Sequence, residues 1–180
     1  QGVIAIAACK AYATIDDLFA NAEKRGEPPC FIGWVVRGDP PNLGAILRTA
    51  EAAGAHGVIV PRRRSVGLTA TVGKVSAGAV EYVPVARVTN LADTLRELKA
   101  RGVWIYGLDM DGESWCGTDL TGAMALVVGS EGRGIGRLVR EECDHILSLP
   151  MAGKINALNA SVACGSVLYE VARQRQGIPA

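Results

Sequence analysis

Histidine and long apolar runs are the two features most clearly missing from this sequence. Only His56 and His145 occur among the 180 residues, and each stands beside a strand-like run, which disfavours a hydrolase built on a histidine base. No apolar run approaches the roughly 20 residues that a membrane-spanning helix needs, and no charged-then-apolar leader opens the chain. We therefore expect a cytoplasmic protein without a membrane partner.

A strong charge of one sign is missing as well. The formal net charge is only +1, so the chain as a whole is not drawn to nucleic acid, and any RNA site must be local. The best candidate for RNA binding is the run Arg62, Arg63 and Arg64, directly after a strand-like run. A solvated charge run is the alternative interpretation. Further basic residues that could lie near this run are Lys74, Arg133, Arg137 and Arg140.

Paired cysteine motifs are also missing. The cysteines are odd in number and scattered, with no CxxC pair and no nearby pair of histidines, which argues against a disulfide framework and against a zinc site. We expect no metal and interpret these residues as small apolar side chains in a reducing compartment. They are Cys9, Cys30, Cys116, Cys143 and Cys164.

What the sequence does contain is a regular alternation of strand-like and helix-like segments. Its length and apolar content suit one domain with a full core. The alternation predicts an α/β fold with a mostly parallel sheet covered by helices on both faces. Predicted strands lie at 31–36, 56–61, 80–88, 103–110, 125–128 and 146–149. Predicted helices lie at 14–26, 42–53, 68–78 and 90–102, with a last helix that carries Leu158, Val162 and Val171.

Two glycine-containing loops near the carboxyl terminus each follow a predicted strand. The first is GSEGRGIG at 129–136, and the second, around Ala152 and Gly153, leads into the last helix. Since ligands of open α/β sheets bind beyond the carboxyl ends of strands, the two loops predict a ligand cradle. Neither a Rossmann fingerprint nor a P-loop fits the glycine spacing. Asn159 and Ser161 either cap the last helix or face the ligand.

Three ordered segments carry a family resemblance. Residues 42–61, 126–135 and 147–175 resemble the three motifs of the SpoU/TrmH family, S-adenosylmethionine-dependent RNA 2′-O-ribose methyltransferases with the SPOUT α/β-knot fold. The resemblance implies a C-terminal deep trefoil knot and a homodimer with each site near the subunit interface. DPPNLG, KVSAGAVEYVP, RVTNLADT and LPMAG are similar to the subfamily that methylates a guanosine ribose of bacterial 23S rRNA.

The same resemblance assigns residues to the site. It places four residues around the reacting ribose and phosphate, namely Asn42, Arg48, Glu131 and Asn159. It places six residues against S-adenosyl-L-methionine, namely Gly129, Ser130, Gly132, Leu149, Met151 and Leu158. Because a guanidinium stays protonated in proteins, we assign Arg48 to phosphate binding and stabilisation of the developing alkoxide rather than to the role of base.

One departure from the family pattern concerns the last motif. Relatives have a serine where this chain has Ala157, so a hydroxyl usually given to the site is absent, and either Ser161 compensates or that hydroxyl is dispensable. The alternatives to an rRNA enzyme are a tRNA ribose methyltransferase of the same family and a non-catalytic RNA-binding or ribosome-assembly protein. Ala157 is the only support for the last alternative.

The resemblance also suggests how the chain is divided. We expect residues 1–28 to be a linker and N-terminal extension and residues 29–180 to be the methyltransferase domain. Similar proteins carry a small N-terminal RNA-binding domain upstream, and we expect that this domain is absent from the chain. Choice of the RNA target would then depend largely on a segment that lies outside this sequence.

Overall fold

The computed structural model describes residues 10–63 and 67–180, so Cys9 and Arg64 lie outside the described residues. Within these ranges the strands are β1 (Cys30–Trp34), β2 (Gly57–Pro61), β3 (Val85–Val88), β4 (Trp104–Ser114), β5 (Met124–Val128) and β6 (His145–Ser148). The helices are α1 (Ile15–Arg25), α2 (Pro40–Ala53), α3 (Ala70–Val75), α4 (Leu91–Ala100), α5 (Arg137–Glu141) and α6 (Ala160–Arg175), with a 3-10 turn at Ala79–Glu81.

The described strands form a single parallel sheet. Their order is β3-β2-β1-β5-β4-β6, and every neighbouring pair runs in the same direction. Strands β1 to β3 therefore form one half of the sheet and strands β4 to β6 form the other half. The two halves meet where β5 pairs with β1. This architecture confirms the predicted α/β fold class, whereas the trefoil knot stays a prediction.

Two apolar layers cover the two faces of the sheet. Ile32 and Leu126 point into a layer shared with α2, α3 and α6, whereas Phe31 and Ala125 point into a layer shared with α1 and α4. Successive residues of a strand face opposite sides, so a sheet buried on both faces needs uninterrupted apolar strands. Strands β1 and β5 are buried along their whole length and meet this requirement.

Helix ends follow the capping residues that the sequence offers. Thr14 caps α1 in a reciprocal capping box with Asp17, and Gly26 ends that helix in the left-handed region at φ +64°. Asn90 caps α4 by accepting from the backbone N–H of Asp93. Helix α1 packs closely on the sheet, because a Cβ at Gly57 would lie 2.3 Å from Leu18 Cγ.

Several predicted boundaries are wrong. Helix α2 begins at Pro40 rather than Asn42, since proline suits a first helical turn, where its missing N–H is not needed. Pro84 separates a 3-10 turn from the short edge strand β3, so 80–88 is not one strand. Helix α3 covers only Ala70–Val75 of the predicted 68–78, and α6 begins at Ala160, which leaves Leu158 in the preceding loop.

Strand β4 is longer than predicted because it contains a large bulge. Leu108 pairs with Leu147 of β6, residues 109–112 then leave the ladder, and Glu113 returns to the same Leu147. The predicted loop at 111–122 therefore overlaps the last four residues of β4, of which Glu113 and Ser114 pair with β6. Ser148 holds the end of the bulge, since its hydroxyl donates to the carbonyl of Gly112 at 3.1 Å. Bulges of this kind re-aim side chains next to functional sites.

None of the helices in the described ranges combines the length and the apolar composition that crossing a membrane requires.

Candidate functional site

A cavity of about 350 Å³ opens at the carboxyl ends of β5, β4 and β6. This volume lies within the range of small-molecule sites, and its position is the edge where parallel α/β sheets bind ligands. All six residues predicted to contact a cofactor line it, namely Gly129, Ser130, Gly132, Leu149, Met151 and Leu158. Glu131 lines it too. The cavity thus joins the two glycine-containing loops that the sequence singled out.

The first loop, residues 129–136, folds tightly back on itself. Ser130 accepts backbone hydrogen bonds from Arg133 at 3.2 Å and from Gly134 at 2.9 Å. A Cβ at Gly129 would lie 2.0 Å from the Gly134 carbonyl oxygen, so only glycine permits this approach. Gly132 has a φ of +77°, in the region that glycine adopts without strain. The close turn leaves the loop backbone exposed to the cavity.

Glu131 joins this loop to the start of α6. Its Oε1 accepts from the backbone N–H of Ala160 at 3.2 Å, and Ala160 and Ala163 of α6 also line the cavity. A carboxylate is favourable there because the first N–H groups of a helix carry partial positive charge. The small alanine side chains let the end of the helix approach whatever occupies the cavity.

Asn159 is the N-cap of α6. Its Oδ1 accepts from the backbone N–H groups of Ser161 at 3.0 Å and Val162 at 3.4 Å, and from the Ser161 hydroxyl at 2.6 Å. Its Nδ2 donates to no protein group among the described residues. The structure therefore shows the capping role. Asn159 is exposed and does not itself line the cavity, and its amide nitrogen stays available as a donor.

The Ser161 hydroxyl does not replace the hydroxyl that is missing at Ala157. The Ser161 hydroxyl donates its hydrogen to Asn159 Oδ1, within the helix cap. Ala157 itself lines the cavity. Of the two explanations offered by the sequence, compensation by Ser161 loses support, and dispensability of the hydroxyl is favoured.

Asn42 and Arg48 lie on α2 and do not line the cavity. Asn42 Nδ2 donates to Asp39 Oδ2 at 2.5 Å, which leaves its amide oxygen without a partner among the described residues. The Arg48 side chain is exposed and makes no hydrogen bond or ion pair within the same residues. Helix α2 packs on α6, where a Cβ at Gly165 would lie 3.2 Å from Thr49 Cγ2. Both residues are thus on a helix beside the cavity, available to a large substrate.

The basic residues suggested for RNA binding divide into two groups. Arg62 and Arg63 are exposed at the carboxyl end of β2. Arg137 and Arg140, by contrast, form ion pairs with Glu141 and Asp109. Those two arginines are matched by acidic partners and do not add free positive charge. The two remaining candidates, Lys74 and Arg133, are exposed.

Sequence reasoning missed part of the lining. The residues that line the cavity without having been assigned to it are Leu108, Asp109, Met110, Val128, Arg133, Gly134, Asn156, Ala160 and Ala163, and the sequence suggests Arg133 only for RNA binding. Asp109 and Met110 belong to the bulge of β4, and the available signal was the strand-like run at 103–110, whose carboxyl end had to lie beside that of β5. Asp109 is the part of this lining that brings a negative charge.

Two further features of the described residues are their cysteines and the side chains that could bind a metal ion. Burial keeps the thiols of Cys30, Cys143 and Cys164 protonated. Burial raises the pKa of the Cys30 and Cys143 thiols to about 11, and that of Cys164 well above its ordinary value. All four described cysteines are free thiols. In residues 10–63 and 67–180 no group of three histidine, cysteine, aspartate or glutamate side chains could hold a metal ion.

Comparisons with known proteins identify the family. Two curated relatives match nearly the whole chain and extend beyond it. YacO of Bacillus subtilis, provisionally assigned as a TrmH family tRNA/rRNA methyltransferase, is 54% identical over 99% of this chain and 72% of its own. RlmB of Ralstonia nicotianae, a 23S rRNA (guanosine-2′-O-)-methyltransferase, is 50% identical over 100% of this chain and 72% of its own.

Solved structures give the same result. The SpoU methyltransferase AviRb from Streptomyces viridochromogenes, crystallised with AdoMet, is 30% identical with a TM-score of 0.77, covering 84% of this chain and 62% of that one. An AdoMet-bound rRNA methyltransferase from Sinorhizobium meliloti is 27% identical with a TM-score of 0.79, covering 95% and 63%. This chain thus spans less than two thirds of either structure. The model of the SpoU rRNA Methylase family matches residues 31–169, and the chain belongs to that family.

Proposed function

We propose that this chain methylates a ribose 2′-hydroxyl of RNA, with a guanosine of 23S rRNA as the target and S-adenosyl-L-methionine as the donor. The observation that supports this most is the single cavity that gathers all six predicted cofactor residues next to the N-terminus of α6. The guanosine target is supported by the 50% identity to RlmB of Ralstonia nicotianae.

The cavity has the chemistry that a nucleoside with an amino-acid tail requires. Leu149, Met151 and Leu158 supply apolar contacts, and the backbone of 129–134 supplies hydrogen-bonding groups at close range. A Cβ at Gly129 would clash with the Gly134 carbonyl oxygen, so glycine at this position permits the tight turn of the loop. The residues present therefore fit the cofactor.

When bound, the cofactor would supply an electrophilic methyl group for the ribose oxygen, and the proton of the 2′-hydroxyl would leave to Glu131 or to solvent. Glu131 Oε1 is held by Ala160 N–H, whereas Oε2 has no partner among the described residues and can accept the hydrogen bond of the 2′-hydroxyl. Asn159 Nδ2 can donate to the same ribose. Arg48 binds the adjacent phosphate and stabilises negative charge on the oxygen, since its guanidinium remains protonated.

The RNA is expected to lie across the α2 side of the cavity. Arg48 is exposed there without a carboxylate partner among the described residues, and Arg62 and Arg63 follow β2 on the same half of the sheet. Positively charged side chains without protein partners gain most from phosphate contacts, because counterions are released on binding. Arg137 and Arg140 are excluded from this surface by their ion pairs.

A tRNA target is the second candidate. It is supported by an Aquifex aeolicus TrmH/SpoU tRNA modifying enzyme that is 29% identical, with a TM-score of 0.72. A non-catalytic RNA-binding protein is disfavoured, because the cofactor cavity keeps its predicted lining despite Ala157.

Methylation of transcripts with labelled S-adenosylmethionine separates these candidates. Label in a 23S rRNA transcript, mapped to a guanosine 2′-oxygen and absent from tRNA, supports the proposal. Label in tRNA alone supports the second candidate. Binding of the cofactor without transfer to either RNA, also in the presence of total cellular RNA, contradicts methyl transfer by this chain. An Asn159→Ala variant serves as the inactive control.

We also propose a homodimer that uses the outer face of α6. Val162 and Tyr169 are 54% and 56% exposed and are seven residues apart, so they lie on one face of the helix. Ile155, in the loop before α6, is 75% exposed. An apolar strip of this kind next to a site is typical of a protein interface. The second subunit would then cover the side of the cavity that faces α6.

A further inference from the structure

Asp109 brings a carboxylate into the cavity from the side opposite to the proposed RNA surface. The sheet order is β1-β5-β4-β6 from the α2 side outward, so the end of β4 is separated from β1 by β5. The first loop contacts the chain after β1, where Arg37 N–H donates to Ser130 Oγ at 3.4 Å. The residues of α2 therefore lie on the β1 side of the cavity and Asp109 lies on the β4 side, with the first loop, which carries Glu131, between them.

The bulge of β4 holds this carboxylate in place. Asp109 Oδ1 accepts from Met110 N–H at 2.8 Å, and Oδ2 accepts from Arg140 Nη1 at 2.6 Å. Arg140 Nη2 also donates to the carbonyl of Asp111, at 3.4 Å. Oδ2 faces the first loop closely, since a Cβ at Gly134 would lie 3.2 Å from it. A carboxylate oxygen has two acceptor positions, so both oxygens can still accept from a ligand.

The position of Asp109 decides which part of the ligand it meets. If the methyl group points toward Glu131 and the RNA, the adenosine must extend toward β4 and β6, where the remaining lining is apolar or backbone. The groups on an adenosine that can donate a hydrogen bond to a carboxylate are the 2′- and 3′-hydroxyls of its ribose and the exocyclic amino group of its adenine. Of these, only the two neighbouring hydroxyls offer a pair of donors that matches the two oxygens of Asp109. Acidic side chains at strand ends bind ribose hydroxyls in other nucleotide-binding sheets.

We propose that Asp109 is a specificity-determining residue that binds the ribose hydroxyls of the adenosyl cofactor, and that Arg140 positions it. The inference rests on the proposed function, because it takes the cofactor to be an adenosyl compound. Arg140 holds the carboxylate in one orientation, so no side-chain rotation is needed when the ligand enters. The bulge at 109–112 then has a functional role, because it turns the Asp109 side chain into the cavity.

Calorimetry with S-adenosylhomocysteine and with its analogue lacking both ribose hydroxyls tests this inference without any turnover. The wild-type chain is expected to bind the parent compound at least about tenfold more tightly than the analogue, which is the effect of a hydrogen bond to a charged group. Asp109→Ala is expected to weaken the parent about tenfold or more and to change the analogue less than about twofold. The ratio of the two dissociation constants then approaches one.

Two variants control for structural effects. Asp109→Asn keeps an oxygen for Met110 N–H and is expected to fall between wild type and Asp109→Ala. Asp111→Ala removes a neighbouring exposed carboxylate that does not line the cavity, and is expected to preserve the ratio between parent and analogue. The Asp109–Arg140 pair is partly exposed, so its loss leaves the chain folded, which circular dichroism checks.

The outcomes separate the inference from the function on which it rests. Equal weakening of both compounds in Asp109→Ala, or no weakening, overturns the ribose contact while the cofactor assignment stands. Stronger loss of S-adenosylmethionine than of S-adenosylhomocysteine, with no dependence on the hydroxyls, places Asp109 beside the sulfonium and also overturns it. Failure of the wild-type chain to bind either compound contradicts the proposed function itself.

Discussion

Arg48 is the residue on which the chemical step depends most in this proposal. It is exposed and does not line the cavity, so it acts on RNA rather than on the cofactor. Arg48→Lys is expected to lower the single-turnover rate at saturating RNA by about 10- to 100-fold, because lysine cannot make the paired contacts of a guanidinium. Affinity for S-adenosylhomocysteine should stay within about twofold, measured by calorimetry. Near-full turnover of Arg48→Lys would show that a point charge suffices.

His56 makes stability depend on pH. Its ring is fully buried: Cys30 N–H donates to Nδ1 at 3.0 Å, so Nδ1 must be unprotonated, and Nε2 lies 2.8 Å from Glu27. Burial lowers the pKa of His56 below its ordinary value of 6.5, and the nearby Arg25 also lowers it, against the raising effect of Glu27. As the pH falls, the imidazole therefore takes up its proton at a higher pH in the unfolded chain than in the folded chain. The stabilisation present above about pH 6.5 is lost as the pH decreases.

Chemical denaturation between pH 7.5 and pH 5 measures this effect. The free energy of unfolding should fall more steeply with decreasing pH in the wild-type chain than in His56→Gln, which keeps a donor and an acceptor but does not titrate. The pKa of Glu27 is lowered by His56 and Arg25 despite its partial burial, so its own contribution is lost only below about pH 4.5, outside this window. Parallel profiles for the two proteins would contradict a role for His56.

At the scale of elements, the first glycine loop depends on the absence of a side chain. Gly129→Ala would bring a Cβ to 2.0 Å from the Gly134 carbonyl oxygen, a backbone atom that cannot move alone. We expect a loss of about 1–3 kcal/mol in the free energy of unfolding and at least about a tenfold loss of S-adenosylhomocysteine affinity, because the loop must open. Denaturation and calorimetry measure the two effects.

Gly153→Ala is the matched control in the second loop. A Cβ at Gly153 meets no atom within 4 Å, and its φ lies outside the left-handed region. The free energy of unfolding of Gly153→Ala should stay within about 0.5 kcal/mol of the wild-type value. If Gly153→Ala were as damaging as Gly129→Ala, a general sensitivity of these loops to alanine would replace the argument from close approach.

Elements set by local interactions could be predicted from the sequence, whereas those set by distant partners could not. Thr14 and Asn90 cap their helices through residues three positions away, and the predicted helices at 14–26 and 90–102 begin at these two residues. The bulge of β4 was missed because it depends on pairing with Leu147, more than thirty residues farther along the chain. Asp109 was missed for the same reason, since Arg140, which holds it, is 31 residues away.

At the scale of the whole molecule, α6 connects the cavity to the opposite end of the sheet. Its first turn lies at the cavity, and near its last turn Arg175 donates to the carbonyls of Pro28 at 2.6 Å, Pro29 at 3.0 Å and Gly122 at 2.7 Å. Hydrogen bonds from Arg173 lower the pKa of Glu170 to about 2, so that carboxylate stays ionised at this end of the helix. The helix is thereby fixed at both ends, and only its outer face is left for a partner.

That outer face provides the test of the proposed homodimer. Tyr169→Glu places a charge in the apolar strip, and burying an unpaired carboxylate in an interface is costly, so we expect a monomer in sedimentation equilibrium at micromolar concentration. Tyr82→Glu is the matched control, because Tyr82 is 75% exposed beside the 3-10 turn, away from α6, and should leave the wild-type mass unchanged. Circular dichroism confirms folding of both. A dimer that survives Tyr169→Glu but dissociates with Tyr82→Glu would move the interface to the other end of the sheet, and the cavity would then be complete within one subunit.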